Sequence, residues 1–131
     1  MKSLERPGHR QAAKGARMTH VDSAVGHVRV EITAGSSEEA RRLADAAVEA
    51  RLAACAQISG PITSVYHWQG SIQADEEWRV VFKTADDRLA ELTELLIDRH
   101  SYEVPEIIAV PIEGGNPEYL DWVTESTRPA Q

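Results

Sequence analysis

The sequence predicts an α+β fold with the element order βαββαβ and one further helix at the end. Three observations support this prediction: two segments with the apolar spacing of helices, a pair of strand-like segments joined by a Gly-containing tip, and two more strand-like segments outside them. A chain of 131 residues is long enough for one buried core and too short for two ordinary domains. We therefore expect a single domain.

The first strand and helix follow from simple periodicities. Residues 28–33 alternate between apolar and polar side chains, as a strand with one solvated face does. Ser36 and Glu39 have the spacing of a capping box, in which each side chain satisfies a free amide of the first helical turn. Apolar residues at three- and four-residue steps then continue through residues 40–52 and predict an amphipathic helix.

A long hairpin is expected next. Residues 54–68 are rich in β-branched and aromatic side chains, with a bend at Gly60-Pro61 because proline cannot donate a ladder hydrogen bond. Gln69-Gly70 suits the hairpin tip, and residues 78–83 supply the returning strand.

The second half of the chain repeats the pattern of a helix followed by a strand. An aspartate of the pair 86–87 is expected to cap a helix that ends near His100. Residues 107–112 have the composition of a buried strand. Asn116 and Pro117 suit the cap and the first position of a short last helix.

This element order is that of the ferredoxin-like arrangement, an antiparallel sheet with its helices on one face. The other face of the sheet is then uncovered. Tyr66, Trp68 and Trp78 lie on the long strands and are poorly suited to full exposure to water. We therefore expect copies of the chain to cover that face in an oligomer.

Charge divides the chain into two parts. Residues 1–26 hold five basic and two acidic residues and are expected to form a disordered basic tail, whereas residues 27–131 form the domain and carry nine basic and nineteen acidic residues, a net charge of −10. A nucleic-acid partner would require a basic patch on the folded surface, so none is expected. The acidic domain is compatible with attracting cations.

Composition also bears on location. The longest apolar run, residues 107–112, is far too short to span a membrane, so no membrane partner is expected. The tail has no apolar stretch of the kind that a secretory signal needs. A single cysteine, Cys55, favours a reducing compartment. These features predict a cytoplasmic protein. The arginines and the shortage of acids in the tail also resemble an organelle transit peptide, which is the alternative to a disordered extension.

Six separated motifs resemble those of the CutA divalent-cation tolerance family. The resemblance covers roughly residues 28–128. In chain order the motifs are Leu52-Ala53-Ala54-Cys55-Ala56; Thr63-Ser64-Val65-Tyr66-His67-Trp68-Gln69-Gly70 with Ile72; Glu77; Phe82-Lys83-Thr84; His100-Ser101-Tyr102-Glu103-Val104-Pro105-Glu106; and Tyr119-Leu120-Asp121-Trp122.

The resemblance implies a homotrimer in which long hairpin strands join neighbouring subunits and a polar, aromatic cleft lies where subunits meet. It implies a non-enzymatic role in tolerance of divalent metals such as copper. An alternative is a nucleotide- or metabolite-sensing module similar to trimeric nitrogen-regulatory proteins. An acylphosphatase-like enzyme is a third hypothesis, but residues 33–37 lack the Gly-rich phosphate loop, and no nucleophile-and-base arrangement is recognisable elsewhere.

The candidate metal ligands are His100 and Cys55. In some relatives, copper is described as bound by a cysteine in the first strand and by histidines before the tyrosine, positions that read Ile32, Arg99 and His100 here. Isoleucine cannot coordinate a metal, and arginine stays protonated. Cys55 is either a small buried thiol or a soft-metal ligand for copper or another divalent metal.

The candidate ligand-binding residues are Trp68, Glu77, Lys83, Tyr102 and Glu106. Glu77 and Lys83 are six apart in one predicted strand and therefore share a face. They form either a salt bridge or, with Tyr102 and Glu106, a polar cleft for a small ligand or cation. Trp68 is either an interface anchor or a ring that stacks on the ligand.

Overall fold

A computed structural model describes residues 25–129. The predicted tail, residues 1–26, lies outside the described residues except for its last two. The elements occur in the predicted order, and a short 3-10 turn precedes the second helix. They are β1 (His27–Ala34), α1 (Ser37–Glu49), β2 (Cys55–Trp68), β3 (Ser71–Ala85), α2 (Leu89–Arg99), β4 (Ile107–Ile112) and α3 (Pro117–Ser126).

The four strands form one sheet in the order β2-β3-β1-β4, and each neighbouring pair is antiparallel. This confirms the predicted antiparallel sheet. β3 is longer than predicted and begins at Ser71 instead of residue 78, since residues 71–77 pair with β2 beyond the end of β1. The acidic run Asp75-Glu76-Glu77 concealed this extension, because acidic residues are depleted in strands.

The core lies between one face of the sheet and the helices α1 and α2. Alternate residues of β1 and β3 point toward it, and the apolar stripes of both helices meet them. The most deeply buried members are Val30, Ile32, Leu43, Val80, Phe82, Leu92 and Leu96. Trp78 also packs against this cluster, so it does not belong to the uncovered face as expected.

The third helix lies on the opposite face. His27 Nε2 lies 2.8 Å from Thr124 Oγ1, and Cys55 Sγ lies 3.5 Å from the hydroxyl of Tyr119. The register places His27 and Cys55 on the side of the sheet away from α1 and α2. The prediction that helices share one face therefore holds for α1 and α2 only, and α3 covers one end of the other face.

The cap predicted for α2 is wrong. Residues Asp86–Arg88 form the 3-10 turn, and Arg88 occupies the N-cap position with no side-chain cap hydrogen bond. Asp87 instead accepts two hydrogen bonds from the Arg128 guanidinium, at 2.8 and 3.0 Å. This pair links the start of α2 to the residues that follow α3. None of the described helices is both long and apolar enough to cross a membrane.

The predicted bend in β2 is present, and it depends on a close contact. The pairing of β2 with β3 shifts register between Ser59 and Ile62, where the Gly60–Pro61 peptide bond is cis. A Cβ atom on Gly60 would lie 2.5 Å from Cδ1 of Trp78. Only glycine therefore leaves room for the indole ring that closes this end of the core.

We expect Gly60→Ala to lower the free energy of unfolding by about 1–3 kcal/mol, because the added methyl group overlaps the Trp78 ring. Urea unfolding followed by tryptophan fluorescence measures the change. Gly70→Ala is the matched control, because Gly70 also has a positive φ and nothing lies within 4 Å of a Cβ atom there. Equal effects of the two substitutions would contradict the close-packing explanation.

Candidate functional site

A groove lies where the long hairpin extends past the rest of the sheet. β1 pairs with β3 only as far as Trp78, whereas the pairing of β2 with β3 continues to Trp68 and Ser71. The segment that follows α2 meets the projecting hairpin there. The groove between them has a volume of about 580 Å³ and is lined by Thr33, Tyr66, Trp68, Asp75, Glu77, Tyr102, Glu103, Val104 and Glu106.

The lining is acidic and aromatic. Asp75 and Glu77 are two residues apart in β3, so strand alternation points both carboxylates to one side. Glu103 and Glu106 add two more carboxylates from the loop, and three of the remaining lining residues carry aromatic rings. Lysine and arginine are absent from the lining formed by residues 25–129. The groove therefore favours a positively charged ligand.

Two phenols hold the hairpin carboxylates in place. The Tyr102 hydroxyl donates a hydrogen bond to Glu77 Oε2 at 2.7 Å, and the Tyr66 hydroxyl donates one to Asp75. Burial and the bond to Glu77 raise the pKa of Tyr102, while the bond to Asp75 raises that of Tyr66. Both phenols therefore stay protonated at neutral pH and act as hydrogen-bond donors to the two carboxylates.

The imidazole of His100 positions the loop that carries Tyr102. It is buried, with Nε2 2.7 Å from the carbonyl oxygen of Thr33 and Nδ1 3.0 Å from the backbone nitrogen of Tyr102. A carbonyl can only accept and a backbone N–H can only donate, so Nε2 carries the proton and Nδ1 is the acceptor. Both ring nitrogens are thus engaged in fixing the groove.

The carboxylate of Glu39 fixes the start of the same loop. Ser36 Oγ accepts a hydrogen bond from Glu39 N, as the capping-box pattern predicts, but the Glu39 side chain bonds Ser101 N at 2.8 Å and Ser101 Oγ at 2.9 Å. Burial alone would raise the pKa of Glu39, but the hydrogen bonds from Ser101 bring that pKa below its ordinary value.

The two candidate metal ligands do not meet in this subunit. Cys55 is paired with Lys83, which lies opposite Arg29. His100 contacts Thr33, four residues further along β1 and thus about 13 Å away along the strand direction. Within residues 25–129, no group of three or more His, Cys, Asp or Glu side chains is arranged to hold a metal ion.

Four of the five predicted ligand-binding residues line the groove, namely Trp68, Glu77, Tyr102 and Glu106. Lys83 does not. It lies six residues from Glu77, about 20 Å along β3, and its Nζ donates to Gln57 Oε1 at 2.8 Å. Sharing a strand face was too weak a criterion, since that face extends well beyond the groove.

Sequence reasoning missed several lining residues. Asp75 had a recognisable signal, because it shares its side of β3 with Glu77, but residues 71–77 were not assigned to a strand. Tyr66 is predicted from the sequence to be covered by another copy of the chain, and it is not among the predicted ligand-binding residues. No sequence signal pointed to Thr33 and Val104 as lining residues.

The fold and the groove define a small α+β protein with an acidic, aromatic-lined recess at one end of an antiparallel sheet. The chain belongs to the CutA1 divalent ion tolerance protein family, whose model matches residues 28–126. The family resemblance noted in the sequence is thereby confirmed.

Individual relatives agree with this assignment. A divalent-cation tolerance protein CutA of Thermus thermophilus is 48% identical over 98 residues, which are 75% of this chain and 95% of that protein. A chloroplastic Protein CutA 1 of Oryza sativa is 41% identical over 117 residues, or 89% of this chain and 66% of that protein. The chain thus spans about two thirds of the rice protein's length.

Solved structures agree as well. The structure of the periplasmic divalent cation tolerance protein CutA from Archaeoglobus fulgidus matches with a TM-score of 0.76 at 42% identity, covering 78% of this chain and 99% of that one. CutA1 from Oryza sativa gives a TM-score of 0.78 at 42% identity, covering 81% and 97%.

The comparisons correct the predicted location. The rice and Arabidopsis thaliana relatives are named chloroplastic, and the Archaeoglobus protein is described as periplasmic. The prediction of a cytoplasmic protein is therefore wrong on these findings. A lone cysteine and a tail without an apolar stretch are compatible with several compartments, so composition is a poor guide to location here.

The Glu39–Ser101 contact predicts a pH-dependent stability. We expect Ser101→Ala to lower the free energy of unfolding by about 1.5 kcal/mol near pH 7, because a hydrogen bond to a charged group is lost. The folded-state pKa of Glu39 lies below its ordinary value of 4.5, so this stabilisation is present above that pH and is lost as the pH falls below it.

Urea unfolding of both proteins at matched concentration, near pH 7 and near pH 3.5, measures the effect. The difference between wild type and Ser101→Ala should shrink at the lower pH. Ser37→Ala, at an exposed position at the start of α1, is the matched control. A difference that persists unchanged in acid would show that Glu39 is not the partner that matters.

Proposed function

We propose that this chain acts as a non-enzymatic homotrimer in divalent metal tolerance, with the acidic groove as its cation-binding site. The observation that carries the proposal is the groove itself, which four carboxylates line without a lysine or arginine among the described lining residues. Membership of a divalent ion tolerance family supports a cation as the ligand.

Exposed apolar surface on the hairpin supports the trimer. Val65 is 66% exposed and Ile72 is 68% exposed. Val65 and Ile72 share one side of the hairpin. In the sheet formed by residues 25–129, β2 is an edge strand whose outer backbone groups have no strand partner. An apolar ribbon with an open edge is typical of a surface that pairs with another chain.

The strand order β2-β3-β1-β4 supports the ferredoxin-like arrangement. Two crossovers through α1 and α2 connect strands that are consecutive along the chain but not neighbours in the sheet, and both helices lie on one face. The opposite face is covered by α3 at one end only, which leaves Ile108 and Val110 about half exposed. A trimer that uses the hairpin and this face accounts for both apolar surfaces.

The donor atoms of the groove are oxygens, which suit harder divalent cations better than copper(I). A complete metal site would need ligands from a second subunit, because no metal-holding group of three is assembled in the described part of one chain. The phenols of the groove are held protonated and act as hydrogen-bond donors to the carboxylates.

The alternative of a nucleotide sensor gains no support from the groove. Phosphate groups need cationic side chains or free backbone amides, whereas this lining carries carboxylates. A metabolite with positive charge remains compatible with it.

We expect light scattering to give a particle of three times the chain mass of 14.4 kDa. Val65→Lys should shift the protein toward the monomer, because a charge would have to be buried at the hairpin interface. Ile97→Lys is the matched control, at an apolar residue of α2 that is 54% exposed. A wild-type protein that stays monomeric at all concentrations would refute the trimer.

We expect Glu77→Gln and Glu106→Gln each to weaken binding of Mn²⁺ and Zn²⁺ by about tenfold, because each removes an anionic ligand. Isothermal titration calorimetry measures the affinities. Glu113→Gln, an exposed acid outside the groove, makes the same charge change and should have no effect. Loss of copper binding in Cys55→Ser, with normal binding in Glu77→Gln, would move the site to the thiol.

A further inference from the structure

We infer that the groove also takes an organic cation with more than one ammonium group, an aliphatic polyamine, in competition with divalent metal ions. The inference rests on the proposed function, because it concerns the same groove, but it names a second class of ligand. Three properties of the groove support it: its size, its aromatic rings and the spread of its carboxylates.

The groove is too large for a metal ion alone. Its volume of about 580 Å³ falls in the range of sites for small organic molecules, whereas one water molecule occupies about 30 Å³ in the liquid. The flexible methylene chain of a polyamine can adopt the shape of such a groove. Its apolar segments would lie against Val104 and the aromatic rings.

The aromatic rings suit an ammonium ligand. Tyr66, Trp68 and Tyr102 line the same groove as the carboxylates, and the face of an aromatic ring attracts an ammonium group. Trp68 is 58% exposed and Tyr102 is 37% exposed, so both rings have surface available to a ligand in one subunit. A strongly hydrated divalent metal ion gains little from these rings, whereas an alkylammonium contacts both ring and carboxylate.

The carboxylates lie far enough apart to contact several positive charges of one ligand instead of a single metal ion. Asp75 and Glu77 are two residues apart on one side of β3, about 7 Å between their backbone positions, while Glu103 and Glu106 lie on the opposing loop. These side chains do not converge as three or more ligands around a point. Ammonium groups distributed along one chain can contact them separately, at hydrogen-bond distance.

The hydrogen-bond capacity also matches. Glu77 accepts the Tyr102 hydroxyl through Oε2, and Asp75 accepts the Tyr66 hydroxyl through Oδ2, so each carboxylate has a second oxygen to offer. An alkylammonium is a pure donor with up to three N–H groups. It can therefore bind these carboxylates without displacing either phenol.

Calorimetric titration of the full chain with spermidine, at about 150 mM NaCl, tests the inference. We expect saturable binding that Mn²⁺ weakens by competition and that butylammonium, with one charge, does not reproduce. Glu77→Gln should weaken spermidine binding at least about tenfold, because a charge-assisted hydrogen bond is lost. Trp68→Leu should weaken it about fivefold through loss of the ring.

Glu113→Gln is again the matched control for net charge and should bind spermidine as the wild type does. Equal weakening by Glu113→Gln and Glu77→Gln would overturn the inference, because it would indicate general attraction to an acidic surface. Absence of spermidine binding in a protein that binds Mn²⁺ through Glu77 would overturn it while leaving the proposed function intact. If neither cation binds, both proposals fail.

Discussion

The groove depends on one buried imidazole. His100 joins the last residues of β1 to the loop that follows α2, because its two nitrogens satisfy the Thr33 carbonyl and the Tyr102 amide at once. A buried polar ring without these partners would cost on the order of 1–3 kcal/mol, so the two bonds define a single arrangement of the loop. Tyr102 is thereby held where its hydroxyl reaches Glu77, and Glu39 binds the preceding residue, Ser101. The placement of a phenol in the groove therefore follows from contacts made in the interior.

Much of the fold could be predicted from the sequence, because it depends on local patterns. The alternation in β1, the cap at Ser36 and the Asn116-Pro117 start of α3 each use nearest-neighbour chemistry. The helix-cap predictions were wrong or incomplete where the predicted capping side chain bonds a residue far away in the chain. The Asp87 side chain accepts a hydrogen bond from Arg128, and the Glu39 side chain accepts one from Ser101, which is 62 positions away. No local pattern could show either pairing.

The lining residues that could be predicted from the sequence are those in family motifs, because several of these motifs meet at the groove. Trp68, Glu77, Tyr102 and Glu106 come from three separate segments, and their meeting reflects the sheet order and the loop held by His100. Lys83 lies outside the groove of one subunit, because its position in alternation along the strand fixes the side of the sheet but not the distance from Glu77. Two of the positions that correspond to described copper ligands hold residues of another kind in this chain. Ile32 is fully buried in the core, and Arg99 is half exposed on α2. Family membership therefore does not transfer that metal site.

The tyrosine–carboxylate pairs determine which carboxylate oxygens are available to a cation in the groove. A metal ion coordinated by the second oxygen of Asp75 or Glu77 gives up part of its own hydration shell. An ammonium group instead adds a donor to an acceptor already held in place, and its alkyl chain replaces water on the rings. The surrounding acidic domain attracts both cations at long range, with a strength that falls as salt is added. Selectivity between them must therefore arise at short range, from the rings and from how far the carboxylates lie apart.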